Sequence, residues 1–275
     1  MSHQSGYVEV EIEEIQISAH RSANAAPLIL FHDGGGTVFS YYLLGDLNRN
    51  VYGIADPFFA TANSWTGGVR EMAEAYASSI WDKFTQRPLL LGGWSLGGIL
   101  CIEVARAMRA KFDASVVGMI LLDTPYPGDW KALRSSTAVV SPDLPAKVSP
   151  AIRKHVLRRY EEAERLVENW EIPPELAVIR GTEGRPLPDM PPALLVRASD
   201  RVPVANDATC VVVDIHRHDR MLGWECCRHE WIREVVDINA NHYNIFDDSN
   251  KVSHPVSYVS EAIRSWCNSV ERVSP

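Results

Sequence analysis

The sequence predicts an α/β protein in which a mostly parallel central sheet is flanked by helices and interrupted by one helical lid insertion. Three observations predict it. Short apolar runs alternate with amphipathic stretches of helical period along most of the chain. One of those runs, "LLLGGWSLGGIL" at 89–100, breaks into glycines around a single serine before turning apolar again. From Pro125 to Met190 the alternation stops, leaving proline-punctuated chain around one helical pattern.

The elements follow in order. "YVEVEIEEIQIS" alternates as a strand does, with a phase slip at Glu13-Glu14 that predicts a bulge or turn. Buried strands are expected at 26–31 ("APLILF"), 50–55 ("NVYGIA"), 87–94 ("RPLLLGGW") and 116–123 ("VVGMILLD"). Two more follow at 191–198 ("PPALLVRA") and 232–238 ("IREVVDI"). Between them, "GGVREMAEAYASSIWDKF" gathers Val69, Met72, Ala73, Tyr76, Ile80 and Phe84 on one helical face. A second helix, "GGILCIEVARAMRAKF", follows the serine directly, and "HPVSYVSEAIRSWCNSV" spaces Val256, Val259, Ile263, Trp266 and Val270 as a helix laid on a sheet. Pro255 falls where a first helical turn tolerates proline. Structureless inserts of this length are usually functional, so 129–190 is expected to be a lid within one 1–275 unit, built around "SPAIRKHVLRRYEEAERLVENW".

Composition narrows the function. The chain has 275 residues, 46% hydrophobic and 23% charged, enough for a sizeable core. Its formal net charge of −8 repels phosphate backbones and argues against nucleic acid. Five cysteines form an odd set without C-x-x-C spacing, so neither a disulfide framework nor a zinc site is expected. The opening "MSHQSGYVEVEIEEI" lacks a signal-peptide pattern, and no apolar run approaches the roughly 20 residues of a membrane span. A cytoplasmic protein with no membrane role is the expectation.

Gly93-Trp94-Ser95-Leu96-Gly97 fits G-x-S-x-G between a strand and a helix. The sharp bend it implies holds the serine above the sheet edge, and side chains larger than hydrogen would collide there. The Leu96 amide, at the helix start, then points where an oxyanion would form. A serine hydroxyl needs a base. Of nine histidines, His242 in "NANHYNIFDD" lies just beyond a strand's carboxyl end, the edge where open α/β sheets gather their sites. His32, in "FHDGGGT", begins an early strand-end loop of the kind that supplies a second oxyanion amide. His216, His218 and His229 fall in a polar connection expected to be solvated, and "HRHDR" has no third ligand for a metal. The acid is ambiguous: Asp123 and Asp200 each follow a predicted strand, and the residues alone leave both open.

"PLILFHDGGGTVFSYYLL", "LLLGGWSLGGILCIEVARAM", "GMILLDTPYP", "MLGWEC" and "NANHYNIFD" resemble, in that order, the thioesterase domains of polyketide and nonribosomal peptide synthases, most closely the fungal ones. The resemblance covers essentially the whole chain, though 129–190 matches only as a lid. It implies an α/β-hydrolase fold and a serine hydrolase. It places the acid after the strand that follows the serine helix, which favours Asp123 over Asp200. It also makes the "HDGGG" loop, with Asp33, Gly34 and Gly35, the oxyanion and entrance loop. The chain shows no synthase modules, so it is expected to act in trans on an acyl group tethered to the phosphopantetheine of a partner carrier protein, with no cofactor or metal of its own.

The expected reaction is transfer of an acyl chain to Ser95 followed by hydrolysis or intramolecular closure to a lactone, pyrone or Claisen-type ring. The alternatives are an esterase or lactonase for a finished metabolite, a cyclase using the His–Asp pair without acylating serine, and a non-catalytic binding protein. Arg153, Lys154, Arg158 and Arg159 cluster on the lid helix of an acidic protein: a solvated basic face, or a dock for an acidic carrier protein.

Overall fold

The computed structural model describes residues 8–18, 25–85, 87–128, 130–138, 144, 147–177, 190–205, 210–247 and 254–273. Parts of the expected lid, 178–189 among them, lie outside the described residues. Seven strands form one sheet: β1 (Glu13–Gln16), β2 (Leu28–Phe31), β3 (Val51–Ile54), β4 (Leu89–Trp94), β5 (Val116–Leu122), β6 (Ala193–Ala198) and β7 (Ile232–Ile238). Their spatial order is β1-β3-β2-β4-β5-β6-β7. Only β1 runs antiparallel, and its register slips between Glu14 and Gln16. Ile15 is the extra residue, one place beyond the phase slip visible in the sequence.

The helices are α1 (Gly68–Phe84), α2 (Leu96–Phe112), the short α3 (Trp130–Leu133), α4 (Pro150–Glu168) and α5 (Pro255–Val273). Both sheet faces are covered, which is why the central strands read as unbroken apolar runs. Ile29, Phe31, Leu89, Leu91, Met119 and Leu121 pack into the layer holding α1 and α2. Their neighbours Leu28, Leu30, Leu90, Ile120 and Leu122 face the layer holding α5. There Val259, Ile263 and Trp266 are buried, each stabilising by about 1.5–3 kcal/mol. Among the described residues no helix is long and apolar enough to cross a membrane.

Strand β2 has β3 on one side and β4 on the other, so the winding reverses between β2 and β4. The carboxyl ends of those two strands flank a crevice, the usual ligand position in such sheets. His32 and Asp33 leave β2 there, and Ser95 leaves β4. Helix α4 lies over the crevice. Ser149 caps it by accepting the Ile152 amide, and Pro150 occupies its first turn.

Candidate active site

Ser95 sits at φ 57° and ψ −118°, a strained conformation between β4 and α2. The flanking glycines are there because of close approach. A Cβ on Gly93 would lie 2.4 Å from the Gly97 carbonyl carbon, and one on Gly97 would lie 2.6 Å from the Phe31 carbonyl oxygen. A Cβ on Gly98 would lie 2.0 Å from Thr124 Oγ1. The last approach seats α2 against the end of β5, beside Asp123. One turn of glycines thus sets the spacing of three chain segments around the hydroxyl.

His242 stands in the bend after β7. Asn241 Oδ1 accepts the Tyr243 amide at 3.0 Å and Asn244 Oδ1 accepts the Asn241 amide at 2.7 Å, so the bend is braced by its own asparagines. The ring lies beside Trp94 and edge-on to Tyr243. Its Nδ1 is 2.7 Å from Asp123 Oδ2, and its Nε2 is 3.1 Å from Ser95 Oγ. An ionised carboxylate only accepts, so Nδ1–H donates to it and Nε2 is left to accept from the serine hydroxyl. The structure therefore joins Ser95, His242 and Asp123 in one hydrogen-bonded line. Asp200 is exposed and its carboxylate accepts from the Ser199 hydroxyl at 3.2 Å; it is not part of that line.

Asp123 is fully buried, and burial alone would lift its pKa. The His242 hydrogen bond and the Arg217 charge outweigh it and hold the carboxyl at about 2. Arg217 is the residue that sequence reasoning missed. Its Nη1 and Nη2 meet Asp123 Oδ1 at 2.6 Å and Oδ2 at 2.9 Å, and its Nε meets Asp214 Oδ1 at 2.8 Å. It belongs to the "HRHDR" stretch expected to be solvated. His218 is exposed as expected, but for its neighbours that expectation is corrected: Arg217 and His216 are both buried, and His216 Nδ1 is 3.0 Å from Asp219 Oδ2. The run "VVVD" just before it was the signal, since apolar residues there pull the segment under the surface. Among the described residues no group of three His, Cys, Asp or Glu side chains is placed to hold a metal ion.

The loop after β2 is tied to the lid. Asp33 Oδ1 accepts the Gly35 amide at 3.0 Å, and Asp33 Oδ2 accepts the Tyr160 hydroxyl of α4 at 2.7 Å. Burial raises the Asp33 pKa, and the Tyr160 hydrogen bond takes back only part of the rise. Tyr160's ring lies on both glycines: a Cβ on Gly34 would be 3.0 Å from it and one on Gly35 3.2 Å. Of the loop's expected oxyanion donors, the Gly35 amide is thus committed to Asp33, whereas Gly34 lines the chamber beside Ser95. His32 supports the loop from below, with Nδ1 2.6 Å from the Asp33 carbonyl and Nε2 2.8 Å from the Tyr76 hydroxyl.

A solvent-connected pocket opens above Ser95. Helix α4 roofs it with Tyr160, Ala163, Glu164 and Val167, and Trp130, Val212 and Val213 close its sides. The walls are mostly apolar, suited to a hydrocarbon-rich chain. The four basic residues of the lid helix do not share one environment. Arg159 is buried against Asp56 at 3.2 Å and also donates to the Asn63 carbonyl, so its expected role as a partner contact is corrected. Arg158 donates to the Phe59 carbonyl at 3.0 Å and Arg153 to the Leu144 carbonyl at 3.1 Å. Lys154 is exposed, whereas the three arginines fasten the roof.

Comparison with known proteins gives the family and the fold. Residues 26–225 match the family model described as "Thioesterase domain". The chain is 31% identical to thioesterase frbE of Dothideomycetidae sp. (strain 11243) over 94% of this chain and 95% of that protein. It is 32% identical to thioesterase AMT4 of Alternaria alternata, over 95% and 92%. Among solved structures it resembles the NocB thioesterase domain from the nocardicin cluster (TM-score 0.60, 20% identity, 92% of this chain and 98% of that one). It also resembles the Vlm2 thioesterase domain bound with a dodecadepsipeptide (TM-score 0.62, 16% identity, 93% and 97%). At such identities the structural likeness speaks to the fold. The family match and the fungal relatives carry the rest: this chain belongs to the thioesterase-domain family and is an enzyme of that type with the α/β-hydrolase fold.

Proposed function

We propose that this enzyme takes an acyl chain from a carrier-protein thioester onto Ser95 and releases it by hydrolysis or intramolecular cyclisation, in the making of a polyketide or related secondary metabolite. The observation that carries the reading is the line Asp123–His242–Ser95, with separations of 2.7 and 3.1 Å at the floor of an apolar chamber. His242 Nε2 takes the Ser95 proton as Oγ attacks the thioester carbonyl carbon. Asp123 fixes the tautomer and balances the imidazolium charge. The Leu96 amide, first in its helix and without an intrahelical acceptor, stabilises the oxyanion together with an amide of the 33–34 stretch. The carbon–sulfur bond then breaks, the thiolate takes the proton from His242, and an ester on Ser95 remains.

In the second half His242 deprotonates the incoming nucleophile and returns the proton to Ser95. Water gives the free acid; a hydroxyl, enol or carbon nucleophile of the chain itself gives a ring. The apolar roof favours the internal nucleophile by folding the chain and limiting water. The partner would be a carrier protein or synthase acting in trans, a reading supported by the fungal relatives and by the synthase-type domains among the structural neighbours. The test is to incubate the enzyme with acyl thioesters of increasing length, and with the matching oxygen esters, and to identify products by mass beside Ser95→Ala. Turnover of thioesters that Ser95→Ala abolishes supports the reading. Equal rates on both ester types would point to an esterase, and cyclisation surviving in Ser95→Ala would point to base catalysis alone.

A further inference from the structure

We propose that Arg217 is a positioning residue of the reaction, holding the Asp123 carboxylate ionised and aimed at His242 and joining it to the wall of the acyl chamber. The inference rests on the acyl-enzyme reading above. A guanidinium has five N–H donors in a rigid fork, and the described contacts of Arg217 number five. Nη1 donates to Asp123 Oδ1 at 2.6 Å and to the Ala198 carbonyl at 2.8 Å. Nη2 donates to Asp123 Oδ2 at 2.9 Å and, at 3.4 Å, to the Val213 carbonyl. Nε donates to Asp214 Oδ1 at 2.8 Å. The side chain is 2% exposed and Asp123 is 0% exposed, so water competes with none of this.

The consequence is geometric first. Asp123 sits at φ 42° at the end of β5, and its Oδ1 also accepts the Ala198 amide at 2.8 Å. With Oδ1 held by Arg217 and Ala198, and Oδ2 by Arg217, the remaining lone pair of Oδ2 is directed at His242 Nδ1. Asp214 extends the arrangement: it accepts the Val202 amide at 2.6 Å, and its neighbours Val212 and Val213 line the acyl chamber. A change in that wall is therefore transmitted to the acid through one side chain.

The electrostatic consequence follows. The charged and titratable groups around the His242–Asp123 pair are Arg217 and Asp214 from the 212–217 segment and Asp33 from the loop after β2. Tyr160 and Glu164 face it from α4, and Tyr243 stands beside it. Arg217 is the cation in contact with Asp123. Without it, burial acts on Asp123 opposed by His242 and the Ala198 amide only, and the carboxylate protonates at higher pH.

The test is the rate at which a fluorophosphonate labels Ser95, measured from pH 4 to 9 in folded protein. The variants are Arg217→Lys, Arg217→Met, Arg217→Met with Asp214→Asn, and Asp123→Asn alone and combined with each Arg217 change. Arg217→Met should slow labelling on the order of 10²-fold, the effect of an ångström-scale misplacement. Arg217→Lys, which keeps the charge but not the fork, should lose only about tenfold. In the Asp123→Asn background each Arg217 change should cost less than about threefold, because the group it acts through is gone. Full additivity of the two losses, or a loss in Arg217→Lys as large as in Arg217→Met, would overturn the proposal. If Arg217→Met does not fold even with Asp214→Asn, the Lys series decides by the same criterion. Failure of the unaltered enzyme to label would instead overturn the acyl-enzyme reading.

Discussion

The ends of β5 and β2 each place a buried carboxylate within the electrostatic reach of His242, and the protein treats the two oppositely. Asp123 meets an imidazole and a guanidinium, which hold it at about 2 in spite of burial. Asp33 meets an amide and a phenol, and burial wins: its pKa is raised. Both are buried, at 0% and 7% exposure, so depth does not explain the contrast. Charged partners do. On the proposed mechanism, one carboxylate is kept as a permanent anion to balance a positive charge that comes and goes. The other is a hinge pin between the loop and the lid, where a neutral acceptor would serve as well.

The strongest way to break this comparison is to neutralise each in turn. Asp123→Asn should lower turnover on the order of 10⁴-fold, the loss expected when the base is left in the wrong tautomer. Asp33→Asn keeps an acceptor for the Gly35 amide and should lose about tenfold at most. Steady-state rates on one thioester check both. Similar losses would mean that the two carboxylates do not differ in role.

The second arginine–carboxylate pair sharpens the point. Arg159 holds Asp56 at 3.2 Å, with both side chains 3% exposed, but serves the roof rather than the floor. Arg159→Met strands Asp56 as a buried charge, although Trp65 Nε1 and the Phe58 amide still donate to it. About 3–5 kcal/mol of stability should be lost, measured by urea unfolding. A loss below 1 kcal/mol would show that the roof is held by other contacts.

Acid titration gives a smaller effect of known sign. Asp123 falls from 3.8 to about 2 on folding, so its stabilisation, about 2 kcal/mol, is complete above the ordinary carboxylate range and is lost as pH falls from 3.8 through 2. Asp33 is raised, so it works the other way: its ionisation weakens the fold as pH rises from the unfolded value to the folded one. Asp33→Asn should therefore leave neutral-pH stability unchanged or higher, while Asp123→Asn should flatten the acid loss. The smallest effect is expected for Tyr160→Phe, which keeps the ring on Gly34 and Gly35 but removes one hydrogen bond, about 1 kcal/mol by thermal unfolding.

The floor of the site was legible in the sequence because local rules write it. Apolar runs bounded by Gly, Pro and Asp mark the central strands, alternation marks the edge strand β1, and the glycines about Ser95 announce a bend that only they can make. His242 could be chosen by its place after a strand. Asp123 could not be separated from Asp200 by the residues alone; the family resemblance favoured it, and the 2.7 Å contact now distinguishes the two. What stayed illegible is long-range pairing of charges. Arg159 lies 103 residues from Asp56, and Arg217 lies 94 from Asp123. Nothing in a helical run of arginines, or in "HRHDR", distinguishes a solvated charge from one whose partner arrives from elsewhere in the chain.

The central claim is that Ser95 carries the acyl group, and the mass of the intact protein during turnover tests it most directly. Quenched within seconds of mixing with a short acyl thioester, the enzyme should gain the mass of the acyl group less one hydrogen. Digestion should place the gain on the peptide holding Ser95, and Ser95→Ala should show neither gain nor product. Product formed at an undiminished rate by Ser95→Ala, with no adduct at any time point, would contradict the account.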